Sequence, residues 1–476
     1  MARPTIRRAL PWAVLESGTT AFTAVLGLLI LSRLLTPDDF GVVALAQSIV
    51  ATVQLFTAMG IREAVIRHRP VDVSYYDTAH WLAVGLALLG FVLCCAISLW
   101  FVFVAHETLL GVVVAASAIN IVFAGFNILP DALLGRKLRT AALARRTLLS
   151  KAVYTILACG LAIAGWGLWS IVIATVLQTA VSTLTLWIAQ PRLPKLRLRS
   201  SQARDILSYG WAVSADAALW SFASRAFIMM VGLVHGVTTV GYLNLAMRTT
   251  EVLSALLTAV NNRFSLPLFA HAQASLPRVR SIYARGTELL NAVSAPVFVG
   301  LCLTAPDWIP LFLGHKWLPV VGLVQAFSLA WVIVFTRMLV GDCVRVTGHP
   351  RALLPQAVLS ATAMVGLVLL TRGHSMLSIA VAWGFARALI AAPWSMLLLR
   401  RFAGLTVAAQ LKPLARPALA VAVMTGAVFA LRHAMGWADA PQGHALRLAA
   451  DIAVGGAVYV AVAAMMFRRE IGQFRT

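Results

Sequence analysis

Long apolar runs recur along the chain from end to end, and short polar links separate them. A helix needs about 20 apolar residues to cross the hydrocarbon of a bilayer. The pattern predicts spans at 12–34, 40–60, 80–104, 109–130, 148–165, 168–189, 211–234, 239–261, 287–305, 319–341, 354–371, 376–399, 417–435 and 446–467. Helix is the expected element, because backbone polar groups in lipid must be satisfied within their own segment. The fold class read from this is an all-α polytopic membrane protein with about fourteen transmembrane helices.

Charge in the links supports the count. The N-terminal tail, the even-numbered links and the C-terminal tail hold 30 basic residues, while the alternate links hold five: Arg33, Lys316, Arg372, Arg432 and Arg447. A miscounted span would scramble this alternation. Positive residues mark the cytoplasmic side, so both termini are expected there. The first link of the opposite side, LSRLLTPDDFG, carries Pro37, Asp38 and Asp39. Pro37 cannot continue the first helix, and Asp39 can cap the second.

Composition agrees. The chain is 60% hydrophobic and only 12% charged over 476 residues, with a mean hydropathy of +0.86. A soluble domain carries about 25% charged residues. The net charge of +22 would point to nucleic acid in a soluble protein. Here the cations sit in membrane links, so no nucleic-acid partner is expected. The five cysteines lie in or at the end of spans without metal-ligand spacing, and neither a metal nor a cofactor is expected. The basic start MARPTIRR resembles a signal peptide, yet Glu16 interrupts the apolar stretch and no clear cleavage site follows; it reads as an uncleaved first span.

A shift of 200 residues partly superimposes the chain on itself. Glu16 falls on Asp216, and Gly41, Leu45 and Ala46 fall on Gly241, Leu245 and Ala246. Six spans precede the basic link 191–210 and six follow it. The expected organisation is a lobe at 1–190, a cytoplasmic linker at 191–210, a second lobe at 211–400, and two further helices with a tail at 401–476. Internal repeats of this kind are common in transporters, with the substrate between the halves.

Several stretches together resemble the oligosaccharide flippase family of bacterial envelope biosynthesis, Wzx-like, within the multidrug/oligosaccharidyl-lipid/polysaccharide flippase superfamily. They are LSRLLTPDDFG, DTAHW (77–81), LPDALLGRKLRTAALARRTLLSK (129–151), AGWGLWSIV (164–172), LFLGHKWLPVV (311–321) and RVTGHPR (345–351). The resemblance covers nearly the whole chain. It implies a bacterial inner-membrane protein that moves an undecaprenyl-diphosphate-linked oligosaccharide from the cytoplasmic to the periplasmic leaflet by alternating access. Such a step serves O-antigen, capsule or exopolysaccharide synthesis. The implied partners are that polyprenyl-diphosphate-linked oligosaccharide, membrane lipids, and glycan polymerase and chain-length regulator proteins. TPDDFG would help shape the outer gate.

Charges inside spans are costly and usually face a cavity or a partner. The arginines inside spans, Arg225, Arg248, Arg337 and Arg387, and Glu251 beside them, are all in the second half, while the first half offers Glu16 and the end-of-span Arg33. Given a diphosphate substrate, Arg225, Arg248 and Arg387, with Arg337, are candidates for its recognition, since guanidinium presents a fork of donors to phosphate. The plainer readings stand beside this. Arg248 and Glu251 are spaced to neutralise each other, and Arg337 is placed to pair with Asp342 or reach the headgroups. Glu16, Asp216, Glu251 and Asp39 are candidates for gating or ion coupling. Trp220 and Trp331 sit deep enough to stack on sugar or simply to pack, whereas Trp317 falls near an interface.

Other functions weigh less. A multidrug antiporter would need deep acids, and the deep charges here are mostly arginine. A lipid II flippase shares the chemistry. A membrane glycan polymerase needs catalytic side chains on a large outer loop, and the outer links are short and without a hydrolase or nucleotide motif. No enzymatic activity is expected.

Overall fold

Each apolar run folds as a helix, so every backbone donor and acceptor within it is satisfied locally. In the computed structural model the described residues are 3–58, 60–67, 72–137, 139–191, 194–272, 275–436 and 443–466. They form eighteen α-helices and no strand. In chain order these are α1 (Arg3–Leu34), α2 (Pro37–Ala58), α3 (Ile61–Arg67), α4 (Val73–Phe103), α5 (Thr108–Arg136) and α6 (Thr140–Ile163). Next come α7 (Trp169–Ala189), α8 (Ser200–His235), α9 (Val237–Ala272), α10 (Leu276–Trp308), α11 (Val320–Thr336) and α12 (Val340–Val346). The last are α13 (Leu354–Leu370), α14 (Met376–Gly384), α15 (Ala391–Leu398), α16 (Val407–Leu411), α17 (Ala415–Ala434) and α18 (His444–Met466).

Eleven helical stretches among the described residues are long and apolar enough to cross a membrane, and the protein is a multi-pass membrane protein. Two other expected spans are shorter apolar helices, Gly18–Leu34 and Leu354–Leu370. The eighth expected span lies in α9, whose apolar run is broken by Arg248 and Glu251. Length and apolarity thus support eleven crossings where the sequence pattern suggests fourteen. Several helices also outrun their apolar cores: α8 begins at Ser200 and α10 at Leu276.

By packing, the chain divides into Met1–Asn244 and Leu245–Thr476. In the first unit α8 packs against α2, α3 and α4. Its first turns are fastened there by polar contacts. Tyr75 donates to Asp205 Oδ2 (3.2 Å), and Gln202 Nε2 donates to Asp72 Oδ2 (3.1 Å). Asp131 on α5 accepts from Arg62 on α3 and Arg146 on α6 and so joins three helices.

In the second unit α10 packs against α11, α17 and α18. Two buried carboxylates hold the last pair. Arg432 Nη2 donates to Asp451 Oδ2 (2.5 Å), Asp307 Oδ2 (3.2 Å) and the Leu303 carbonyl (2.9 Å). His444 Nδ1 lies 3.0 Å from Asp307 Oδ1. The side chains of Asp451 and Asp307 are 0% and 3% exposed. Arg432→Met is therefore expected to destabilise the protein by about 3–5 kcal/mol, because it strands the buried Asp451 anion and leaves Asp307 to His444 and Arg447; thermal unfolding in detergent checks it. Trp317 is fully buried at the end of a 3₁₀ turn, His315–Trp317, that follows a π turn at Ile309–Leu313.

Candidate functional site

Two places bring the candidate residues together, one in each unit. The first is the TPDDFG turn. Pro37 is the first residue of α2, a position where a missing N–H costs nothing. Thr36 Oγ1 accepts from the Asp39 N–H (3.2 Å), while Asp39 Oδ2 accepts from the Thr36 N–H (2.9 Å) and hydroxyl (2.7 Å). This is a reciprocal capping arrangement. Asp39 therefore serves as the third-position partner of a Thr36 cap, one turn deeper than a cap itself. Its neighbour Asp38 accepts from the hydroxyl of Thr238, 200 residues further on, at the start of α9.

The same offset governs the packing beneath. A methyl group added to Gly41 would overlap the carbonyl oxygen of Val237. One added to Gly241 would overlap the carbonyl oxygen of Pro37 and lie 3.2 Å from the Gly41 nitrogen. The contact is reciprocal: residue 41 meets 237, and residue 241 meets 37. The repeat in the sequence is thus matched by a local two-fold contact between the first turns of α2 and α9, where only glycine lets the backbones come this close.

The second place lies in the second unit, where a π turn at Phe385–Leu389 interrupts the helix between α14 and α15. Such turns are rare and leave carbonyls out of helical register. Arg337, at the C-terminal cap of α11, supplies donors for them. Its Nη2 donates to the carbonyls of Ala388 (2.8 Å) and Arg387 (3.3 Å), and its Nη1 to Ser395 Oγ (3.2 Å). Asp342 instead accepts from Ser265 and pairs with Arg345 at 3.4 Å. The expected Arg337–Asp342 pair does not form, because Arg337 points into the bundle. Arg337→Met is expected to remove about 3 kcal/mol of stability, since it leaves buried carbonyls without donors, and the shift in thermal midpoint measures it.

The π turn also presents Arg387 to two indoles. Its guanidinium carbon lies 5.0 Å from the ring centre of Trp331 and 5.2 Å from that of Trp383, within cation–π range. Trp331 stacks on Phe298 at 6.1 Å, and Trp383 meets Phe327 edge-on at 4.9 Å. Glu251 on α9 acts on Arg387 electrostatically. Trp383 precedes Arg387 by four residues, a signal that the sequence reading passed over.

The other candidates stand apart. Arg225 on α8 and Arg248 on α9 are each partly buried and form no ion pair with a described residue. Arg248 and Glu251 are therefore not joined in a direct ion pair. The side chains of Glu16 and Asp216 lie outside the described residues. Among the described residues no group of acids, histidines and cysteines could hold a metal ion.

Comparison with known proteins adds a family and a fold. A family described as polysaccharide biosynthesis protein matches residues 30–322. The succinoglycan biosynthesis transport protein ExoT of Rhizobium meliloti (strain 1021) is 23% identical over 334 residues, 67% of this chain and 65% of that protein. The lipopolysaccharide biosynthesis protein WzxC of Escherichia coli (strain K12) is 21% identical over 327 residues, 66% of this chain and 64% of that one. The matched stretch spans just under two thirds of the length of these relatives. Among solved structures, the lipid II flippase MurJ in an inward closed conformation superimposes with a TM-score of 0.73 at 13% identity, over 96% of this chain and 100% of that one. An inward-facing multidrug resistance MATE family transporter of the MOP superfamily gives 0.57 at 15% identity, over 82% of this chain and 94% of that one. These two likenesses establish the fold.

Proposed function

Because the chain belongs to this family of polysaccharide biosynthesis proteins, we propose that it is a flippase for a lipid-linked oligosaccharide and not an enzyme. Its cargo is an undecaprenyl-diphosphate-linked repeat unit, carried from the cytoplasmic to the periplasmic leaflet of a bacterial inner membrane. The chain lies there with both termini in the cytoplasm. The observation that carries the reading is two partly buried cations, Arg225 within the apolar stretch of α8 and Arg248 on α9, that form no ion pair with a described residue. A cation at mid-membrane costs roughly 2.5–3.5 kcal/mol on insertion scales. An anionic headgroup offsets that cost while it is bound, and a diphosphate suits the guanidinium fork. The names of ExoT, a biosynthesis transport protein, and WzxC, a biosynthesis protein, support a transport role in polysaccharide biosynthesis.

Alternating access needs a closure that can part. The glycine contact between α2 and α9 suits the outer one, with Asp38–Thr238 as its polar latch. Arg387, held between Trp331 and Trp383, adds a third cation within reach of α9 through Glu251. Glu16, Asp216 and Glu251 are the acids available for coupling to an ion. Glycan polymerase and chain-length regulator proteins are the expected downstream partners.

Deletion in the native host tests the reading. Completed lipid-linked repeat units should accumulate on the cytoplasmic side. Loss of the intermediate itself would point to a synthetic enzyme instead.

A further inference from the structure

The connection between α7 and α8 is strapped to the start of α4. Trp81 Nε1 donates to the Lys195 carbonyl (2.9 Å). Thr78 Oγ1 accepts from the Arg199 N–H (3.3 Å), lies 3.4 Å from the Arg197 carbonyl and donates to Gln202 Oε1 (2.9 Å) on the first turn of α8. These bonds tie the backbone inward, and all side chains from Lys195 to Ser200 are exposed. Leu196 is 82% exposed and Leu198 64%. A single bare leucine means little. Two of them, interleaved with Lys195, Arg197 and Arg199 on a segment that is held in place, form a pattern of a different kind.

The segment sits where membrane helix α7 ends and membrane helix α4 begins, so an interface is within reach. The acids nearest along the contacts are engaged elsewhere: Asp72 accepts from Gln202 and Ser74, and Asp205 from Tyr75. Among the described residues Lys195, Arg197 and Arg199 form no ion pair, which leaves them able to meet an outside anion. Leucine favours the acyl boundary, and basic side chains favour anionic headgroups just above it. We propose that residues 195–199 form a headgroup-level anchor for anionic phospholipid, with Leu196 and Leu198 in the acyl boundary and Lys195, Arg197 and Arg199 on the headgroups. This rests on the chain spanning a membrane and not on what it carries.

The test uses the full chain, its five cysteines replaced by alanine, with Leu198→Cys bearing a nitroxide. It is reconstituted in vesicles of phosphatidylglycerol and phosphatidylcholine, or of phosphatidylcholine alone. With phosphatidylglycerol, the oxygen-to-nickel accessibility ratio should place the probe at the headgroup–acyl boundary. It should move toward water without that lipid, and also in the chain carrying Lys195→Gln, Arg197→Gln and Arg199→Gln. Native mass spectrometry should show retained phosphatidylglycerol falling by about fivefold per charge removed. A probe in water under every condition overturns the proposal, as does one whose depth ignores both lipid charge and the three substitutions. Neither readout depends on transport, so a failure here is distinct from a failure of the flippase reading.

Discussion

Gly241→Ala will stop export while the chain still inserts, and Gly41→Ala will do the same. The added methyl meets a backbone carbonyl, Pro37 in one case and Val237 in the other, and a backbone cannot rotate aside as a side chain can. The two helix starts must separate. Overpacking of this kind costs typically about 1–3 kcal/mol. If the closed arrangement alone bears that cost, its population relative to the open one falls about 5- to 150-fold. Asp38→Cys with Thr238→Cys provides the measurement, because these side chains touch in the present arrangement. Cross-linking between them should be efficient, should block export until reduced, and should drop sharply when Gly241→Ala is added. Undiminished cross-linking and export in the glycine variants would show that this contact is not a gate.

Arg225→Gln and Arg248→Gln form the second strong prediction. Each should cut export by about 10- to 100-fold, the scale of one charged hydrogen bond to a phosphate. Neither removes an ion pair with a described residue, so the thermal midpoint should hold or rise. That separates them from Arg337→Met, which lowers the midpoint. Arg387→Ala is a poorer probe, because it also unseats two tryptophans and removes a charge facing Glu251. Accumulated lipid-linked intermediate reports export, and unfolding in detergent reports stability. Wild-type export by both glutamine variants would remove the role proposed for these two cations in binding the diphosphate.

The helices were legible because their apolar length is written in the chain, but their ends were not. Lipid thickness sets the apolar run, while a helix can continue past it through polar residues, as α8 and α10 do. The π turn at Phe385–Leu389 left no trace, since Phe-Ala-Arg-Ala-Leu suits an ordinary helix equally well. Arg337 was read with Asp342, its near neighbour in sequence, because its true partners lie some fifty residues on. The repeat showed that Gly41 and Gly241 correspond. Only the fold shows that each turn packs on the other.

That reciprocity bears on where the charges lie. A symmetric pair of identical halves would carry every intramembrane cation twice. In one continuous chain the copies are free to differ: where the second half has Arg225, Arg248 and Glu251, the first has Val25, Ser48 and Ala51. One continuous chain lets the second copy hold charge at three positions where the first holds none.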